Sequence, residues 1–187
     1  FAANTVTGGQ ELWTTNGTSV GTTQVIDINA GDIGSDPHSL KATSSGLYFA
    51  ADDGTNGIEP WRLASVAGTP AMLANIAPAG FGSGAQGFYE FSSSVYFAAD
   101  DATNGIELWK TDGSGPGTVM VKDIESGNGN STPLPLGVVG GNLIFAATTT
   151  ANGRELWRTD GTTGGTVLLA DIEPGPAGSS VTSITLA

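Results

Sequence analysis

Each of the four tryptophans of this chain, Trp13, Trp61, Trp109 and Trp157, stands 48 residues from the next. A fixed period of this length constrains the fold before any local propensity does, because each copy is one supersecondary unit that buries its faces only against its neighbours. Glu11, Glu59, Glu107 and Glu155 precede the tryptophans by two positions. Asp27, Asn75, Asp123 and Asp171 follow them by fourteen, each with isoleucine next (Ile28, Ile76, Ile124, Ile172). No insertion or deletion breaks the register. The segments YFAADDGTNGIE from Tyr48 and YFAADDATNGIE from Tyr96 differ at one position of twelve, as the products of a recent duplication would.

Within the period the pattern is that of short strands. Read on the third and fourth copies, a first strand (Leu136 to Val139; Ser183 to Leu186) leads through a turn such as Gly140-Gly141-Asn142 into a second, Leu143 to Ala147. The next loop ends in Asn-Gly or Gly-Gly (Asn56-Gly57, Asn104-Gly105, Asn152-Gly153), which suits the positive φ of tight hairpins. A third strand covers Arg154 to Arg158. The turn after it is Thr-Asp-Gly, where Asp112 or Asp160 accepts backbone N–H bonds. A fourth strand, Thr166 to Asp171, runs into a Pro/Gly-rich link such as Glu173-Pro174-Gly175. No run of ten or more residues keeps helical periodicity, and 29 glycines and 9 prolines fit a turn-rich all-β chain.

Four antiparallel strands per 48 residues, four times over, predict a four-bladed β-propeller in one domain, 1–187. The blades are 1–38 completed by 181–187, then 39–86, 87–134 and 135–180. Four full periods exceed the 187 residues by five, and the deficit falls opposite Ser44 to Tyr48. The C-terminal strand near Val181 to Ala187 is therefore expected to pair with the N-terminal blade and close the ring, which also protects both edges. A ring closed by two chains and a piece cut from a longer array are the alternatives.

Composition removes several functions. A net charge of −12 and a pI near 4.1 repel nucleic acid and anionic headgroups. With no cysteine and one histidine there is neither a thiolate site nor room for a triad or a His-ligated metal. No apolar run reaches the length of a membrane span, so no membrane insertion is expected, and the chain, lacking an initiator Met, reads as a processed piece.

The Trp column is read as packing in the seams between blades. The Glu column is read as structural, accepting backbone or indole N–H bonds at a turn rather than doing catalysis, because fourfold repetition argues against one unique active site. Ligand binding is assigned to places where the copies differ. Asp52, Asp53 and Asn56, with Asp100, Asp101 and Asn104, form oxygen-rich loops that suit Ca²⁺ or sugar hydroxyls, the calcium being assigned to the four aspartates. Phe81 and Tyr89 lie in an aromatic stretch particular to the second copy. That copy also carries Pro60 within its third strand, expected to make the strand irregular or place it at an edge. His38 is read as a solvated loop residue.

The runs ELWTTNGT from Glu11, ELWKTDGS from Glu107 and ELWRTDGT from Glu155 resemble the bacterial ELWxxDGT repeat family, and EPWRLASV from Glu59 departs from it. The resemblance spans the chain. It implies tandem β-propeller-like modules of secreted or surface-attached bacterial proteins and carries no catalytic residues with it. The expectation is a non-enzymatic extracellular binding or adhesion module, lectin-like, with a glycan or surface protein as partner and no cofactor unless calcium. A structural repeat that associates with its own copies is the alternative, and a calcium-assisted glycan-active enzyme the third reading.

Overall fold

The computed structural model describes residues 1–78 and 80–185, and these contain fifteen strands and no helix. The strands form four antiparallel sheets. The first holds β1 (Ala2–Thr5), β2 (Gly9–Thr14) and β3 (Thr23–Gln24). The second holds β4 (His38–Thr43), β5 (Gly46–Asp52), β6 (Ile58–Leu63) and β7 (Ala71–Met72). The third is β8 (Gln86–Phe91), β9 (Ser94–Asp100), β10 (Ile106–Thr111) and β11 (Val119–Lys122). The fourth is β12 (Leu134–Val139), β13 (Asn142–Thr149), β14 (Gly153–Thr159) and β15 (Val167–Ala170). Strand order follows chain order in each, as hairpins joined by short turns require. The sheets are smaller than the 48-residue repeat. The second occupies only His38–Met72, and the rest of each period is link.

The chain gathers into two compact units, Phe1–Phe88 and Tyr89–Ala187. In the first, Leu12 of β2 packs with Phe49, Ala51 and Leu63 of the second sheet, and Trp61, Leu47 and Val25 border them. In the second, Tyr96, Leu108 and Val121 of the third sheet meet Leu143, Phe145, Ala147 and Trp157 of the fourth. Alternation along a strand explains both cores. Within each unit the leucine of Glu-Leu-Trp (Leu12, Leu108) faces the following sheet, and the tryptophan of that following sheet (Trp61, Trp157) faces back toward it. In the second, third and fourth sheets a phenylalanine sits directly across the ladder from the indole (Phe49↔Trp61, Phe97↔Trp109, Phe145↔Trp157), and all three phenylalanines are fully buried, worth about 1.5–3 kcal/mol each.

Two expectations need correction. The first sheet has three strands, and among the described residues Val181–Thr185 form no strand, so the pairing that would close a ring is not seen there. Leu186 and Ala187 of that expected strand lie outside the described residues. Ile184 instead lies where a side chain on Gly137 of β12 would reach it, so it finds apolar cover without joining a ladder. Pro60, in turn, lies in a strand flanked on both sides, opposite Ala50 of β5, in unbroken register. Its carbonyl accepts from Leu73 N at 2.8 Å, so its nitrogen also points toward β7. The missing donor faces that side, where β7 is two residues long, as is β3 beside Leu12 in the first sheet.

Candidate functional site

The repeated glutamates sit one residue inside the third strand, or two in β2 and β14, and are essentially unexposed. Burial of a carboxylate needs several donors, and each link supplies them. Glu107 accepts from Ile124 N (2.9 Å), Glu125 N (3.3 Å), Ser131 N (3.2 Å) and Ser131 Oγ (2.6 Å). Glu11 is held in the same way by Ile28, Asn29 and Ser35, and Glu155 by Ile172, Glu173 and Ser179. Glu59 accepts from Ala77 N at 3.0 Å and Ser83 Oγ at 2.7 Å. The serines 24 residues downstream, Ser35, Ser83, Ser131 and Ser179, are thus part of the same device. Sequence reasoning missed them, although they stand on the same 48-residue grid.

Each repeated glutamate is thus spent within its own link, and Trp61 and Trp157 lie between the neighbouring sheets of their units. Trp61 stacks on Phe49 with ring centroids 6.5 Å apart and donates to Ala51 O at 3.0 Å. Burial pushes the Glu59 and Glu107 carboxyls above their ordinary range, against the pull of the serine and amide donors. At Glu155 burial acts in the same direction, but the Ser179, Glu173 and Ile172 donors prevail and hold it below. Asp112 and Asp160 close their turns as expected, each Oδ1 accepting the amide and hydroxyl two residues on.

The loops between the second and third strands use their carboxylates internally. Asp53 Oδ1 accepts from Thr55 N (2.9 Å) and Asn56 N (2.8 Å), and Oδ2 from Asn56 Nδ2 (2.7 Å); Asp52 takes Gly54 N at 2.7 Å. Asp100, Asp101 and Asn104 repeat the arrangement. Burial alone would raise the Asp53 and Asp101 carboxyls, but the donors of Asn56 and Asn104 outweigh it, so both sit below the usual range. Among the described residues no cluster of three or more His, Asp or Glu side chains gathers that could hold a metal ion.

The remaining candidates are dispersed. Phe81 is exposed in its link. Tyr89 packs against the core of the second unit. His38 opens β4 rather than lying in a loop, and its Nδ1 is 2.9 Å from Asp36 O.

The first unit also contains a cleft of about 430 Å³ that the sequence did not reveal. Its walls include Leu12, Thr14, Leu47 and Leu63, with the turn Ala64 to Val66 at one end and Phe1 at the other. No acidic, basic or histidine side chain lines it. In the second unit, a cleft of about 370 Å³ beside Glu125, Asn130 and Thr150 has its carboxylate engaged by Thr150 N and Oγ1 (2.9 and 2.7 Å).

No family model matches the chain, and no curated protein matches it. Among solved structures it is similar to the crystal structure of puromycin hydrolase, at 16% identity and a TM-score of 0.57 over 86% of this chain and 24% of that one. It is also similar to the computationally designed Ika8 protein, at 15% identity and a TM-score of 0.47 over 100% of this chain and 49% of the other. The chain thus spans about a quarter and a half of their lengths, and the first likeness is one of fold.

Proposed function

We propose that the chain is a non-enzymatic extracellular or cell-surface binding module, built on a β-propeller arrangement of four blades. The propeller reading is supported by sheets that recur at 48-residue intervals, by face-to-face packing of neighbouring sheets inside each unit, and by the fold shared with part of a larger protein. Membership of the ELWxxDGT family belongs to the same proposal and rests on the motif column.

The observation that carries the non-catalytic reading is that the carboxylate standing at the same place in every copy is committed to its own link, Glu11, Glu59, Glu107 and Glu155 each accepting the hydroxyl of the serine 24 residues on. The loops that differ between copies are left for recognition. The test is a binding screen of small aromatic and aliphatic fragments, glycans, Ca²⁺ and matrix proteins, followed by amide shifts of the loops 52–56 and 100–104. Saturable shifts are expected from at least one class. Turnover abolished by changing one carboxylate, or silence across all classes, would overturn the reading.

A further inference from the structure

The turn after the third strand carries aspartate in the third and fourth copies and asparagine in the first. Asn16 makes the same turn as they do. Its Oδ1 accepts from Thr18 N (3.1 Å) and Thr18 Oγ1 (2.7 Å), as Asp112 Oδ1 does from Ser114 (2.9 and 2.6 Å) and Asp160 Oδ1 from Thr162 (2.9 and 2.7 Å). The glycine that follows has a φ of +86°, +91° and +92° in the three. Further along the turn Gly21, Gly117 and Gly165 leave room for these side chains, since a Cβ on any of them would strike the one beside it. The Thr162 donors hold the Asp160 carboxyl below its ordinary range, so this geometry suits a charged group. Asn16 is a neutral amide in a turn that fits a carboxylate.

We propose that Asn16 is a site of spontaneous deamidation, which gives the first copy the aspartate turn of the third and fourth. Solvent base removes the proton of Gly17 N, and the electron pair of that nitrogen attacks Asn16 Cγ. The Cγ–Nδ2 bond breaks, ammonia leaves with a proton taken from water, and a five-membered imide remains. Water then adds to one imide carbonyl, and the ring opens to aspartate or isoaspartate. In sum one water is consumed, one ammonium is released, and the net charge of −12 becomes one unit more negative. The turn favours closure. The bond from Thr18 N to Oδ1 folds Cγ back over the peptide, so the five atoms of the imide already belong to the closed ring of the turn. Both Thr18 donors point at the oxygen on which charge develops. Gly17 puts no Cβ beside its attacking nitrogen, and closure gives up one neutral bond, from Gly17 N to Thr15 Oγ1 (3.1 Å). Asn16 is exposed, as Asp112 and Asp160 are, so water and base reach it.

The other Asn-Gly pairs are held differently. In the hairpins Asn56, Asn104 and Asn152 are half-buried, and each donates its Nδ2 to a carboxylate, Asp53 Oδ2 (2.7 Å), Asp101 Oδ2 (2.7 Å) or Asp171 Oδ2 (2.9 Å). The leaving nitrogen is tied there, and the neighbouring negative charge opposes the anion that attack creates. The glycines after them lie against the link backbone at Gly82, Gly129 and Gly178. Asn128 is exposed like Asn16, but the stem and carbonyl of Glu125 crowd Gly129, so closure there must displace them.

The test is to age the intact chain at mildly alkaline pH in water enriched in heavy oxygen and to map its peptides by mass spectrometry. In the folded chain Asn16 is expected to take up the label first, about tenfold or more ahead of the hairpin asparagines, the rate factor that one bond to a carboxylate is worth. Ageing in urea should bring the Asn-Gly pairs toward one rate, the hairpin pairs speeding up and Asn16 not. Anion exchange of the folded chain should resolve an acidic species that Asn16→Gln does not form. First labelling at Asn128 or a hairpin, an Asn16 rate that falls on folding as the hairpin rates do, or the same acidic species from Asn16→Gln would overturn the proposal.

Discussion

A glutamate without solvent exposure that accepts up to four hydrogen bonds leaves little tolerance at its donors. Ser131→Ala removes the 2.6 Å hydroxyl from Glu107 and leaves a desolvated charge under-satisfied. A loss of about 1.5–3 kcal/mol, read from urea unfolding, is expected. The pH dependence differs between copies. Glu155, held below its ordinary value of 4.5, contributes stability that is present above that value and is lost as pH falls through its depressed one. Glu59 and Glu107 are raised above 4.5, so their contribution is present below it and is lost as pH rises through the raised value. Glu155→Gln should therefore flatten the acid side of the stability profile. Glu107→Gln should flatten the decline on the other side, in urea midpoints measured across the same pH series. The carboxylate half of this device was legible in the sequence as an unbroken column. The serine half was not, because Ser35, Ser83, Ser131 and Ser179 lie in links of otherwise dissimilar sequence and their role appears only when the link folds back.

At the scale of the element, the glycine ahead of the third strand serves two purposes. Gly153 has a φ of +66°, and a methyl group there would collide with the backbone of Gly178 in the link. Gly153→Ala should cost more than the 1–2 kcal/mol or so of the left-handed conformation alone. Gly164→Ala, in open space without a positive φ, should be neutral or stabilise by up to about 1 kcal/mol. Thermal unfolding of the pair separates backbone requirement from composition. Strand positions and turn glycines were readable because a period of 48 with Asn-Gly and Asp-Gly markers leaves few alternatives. The Asp52 and Asp100 loops were less so, since a sequence rich in oxygen ligands and one that saturates its own amides look alike until the donors are located. Pro60 shows a related limit. Its cost depends on which neighbour its nitrogen faces, and that follows from register rather than residue type.

For the molecule as a whole, −12 of formal charge on 187 residues opposes compaction. Raising NaCl from about 0.02 M to 0.5 M shortens the screening length several-fold and should raise the melting temperature by a few degrees, about 2–4 °C for each kcal/mol of repulsion removed.

The span from each buried glutamate to its serine has a consequence for how such a chain can grow. Because the acid of one copy grips a hydroxyl that stands just before the next, an array ended between the two would orphan a charge in the interior. Insertion or removal of a whole period keeps every pair whatever its phase, so an engineered array can be lengthened or shortened internally at any point, but it can be ended only in the interval from that serine to the following glutamate.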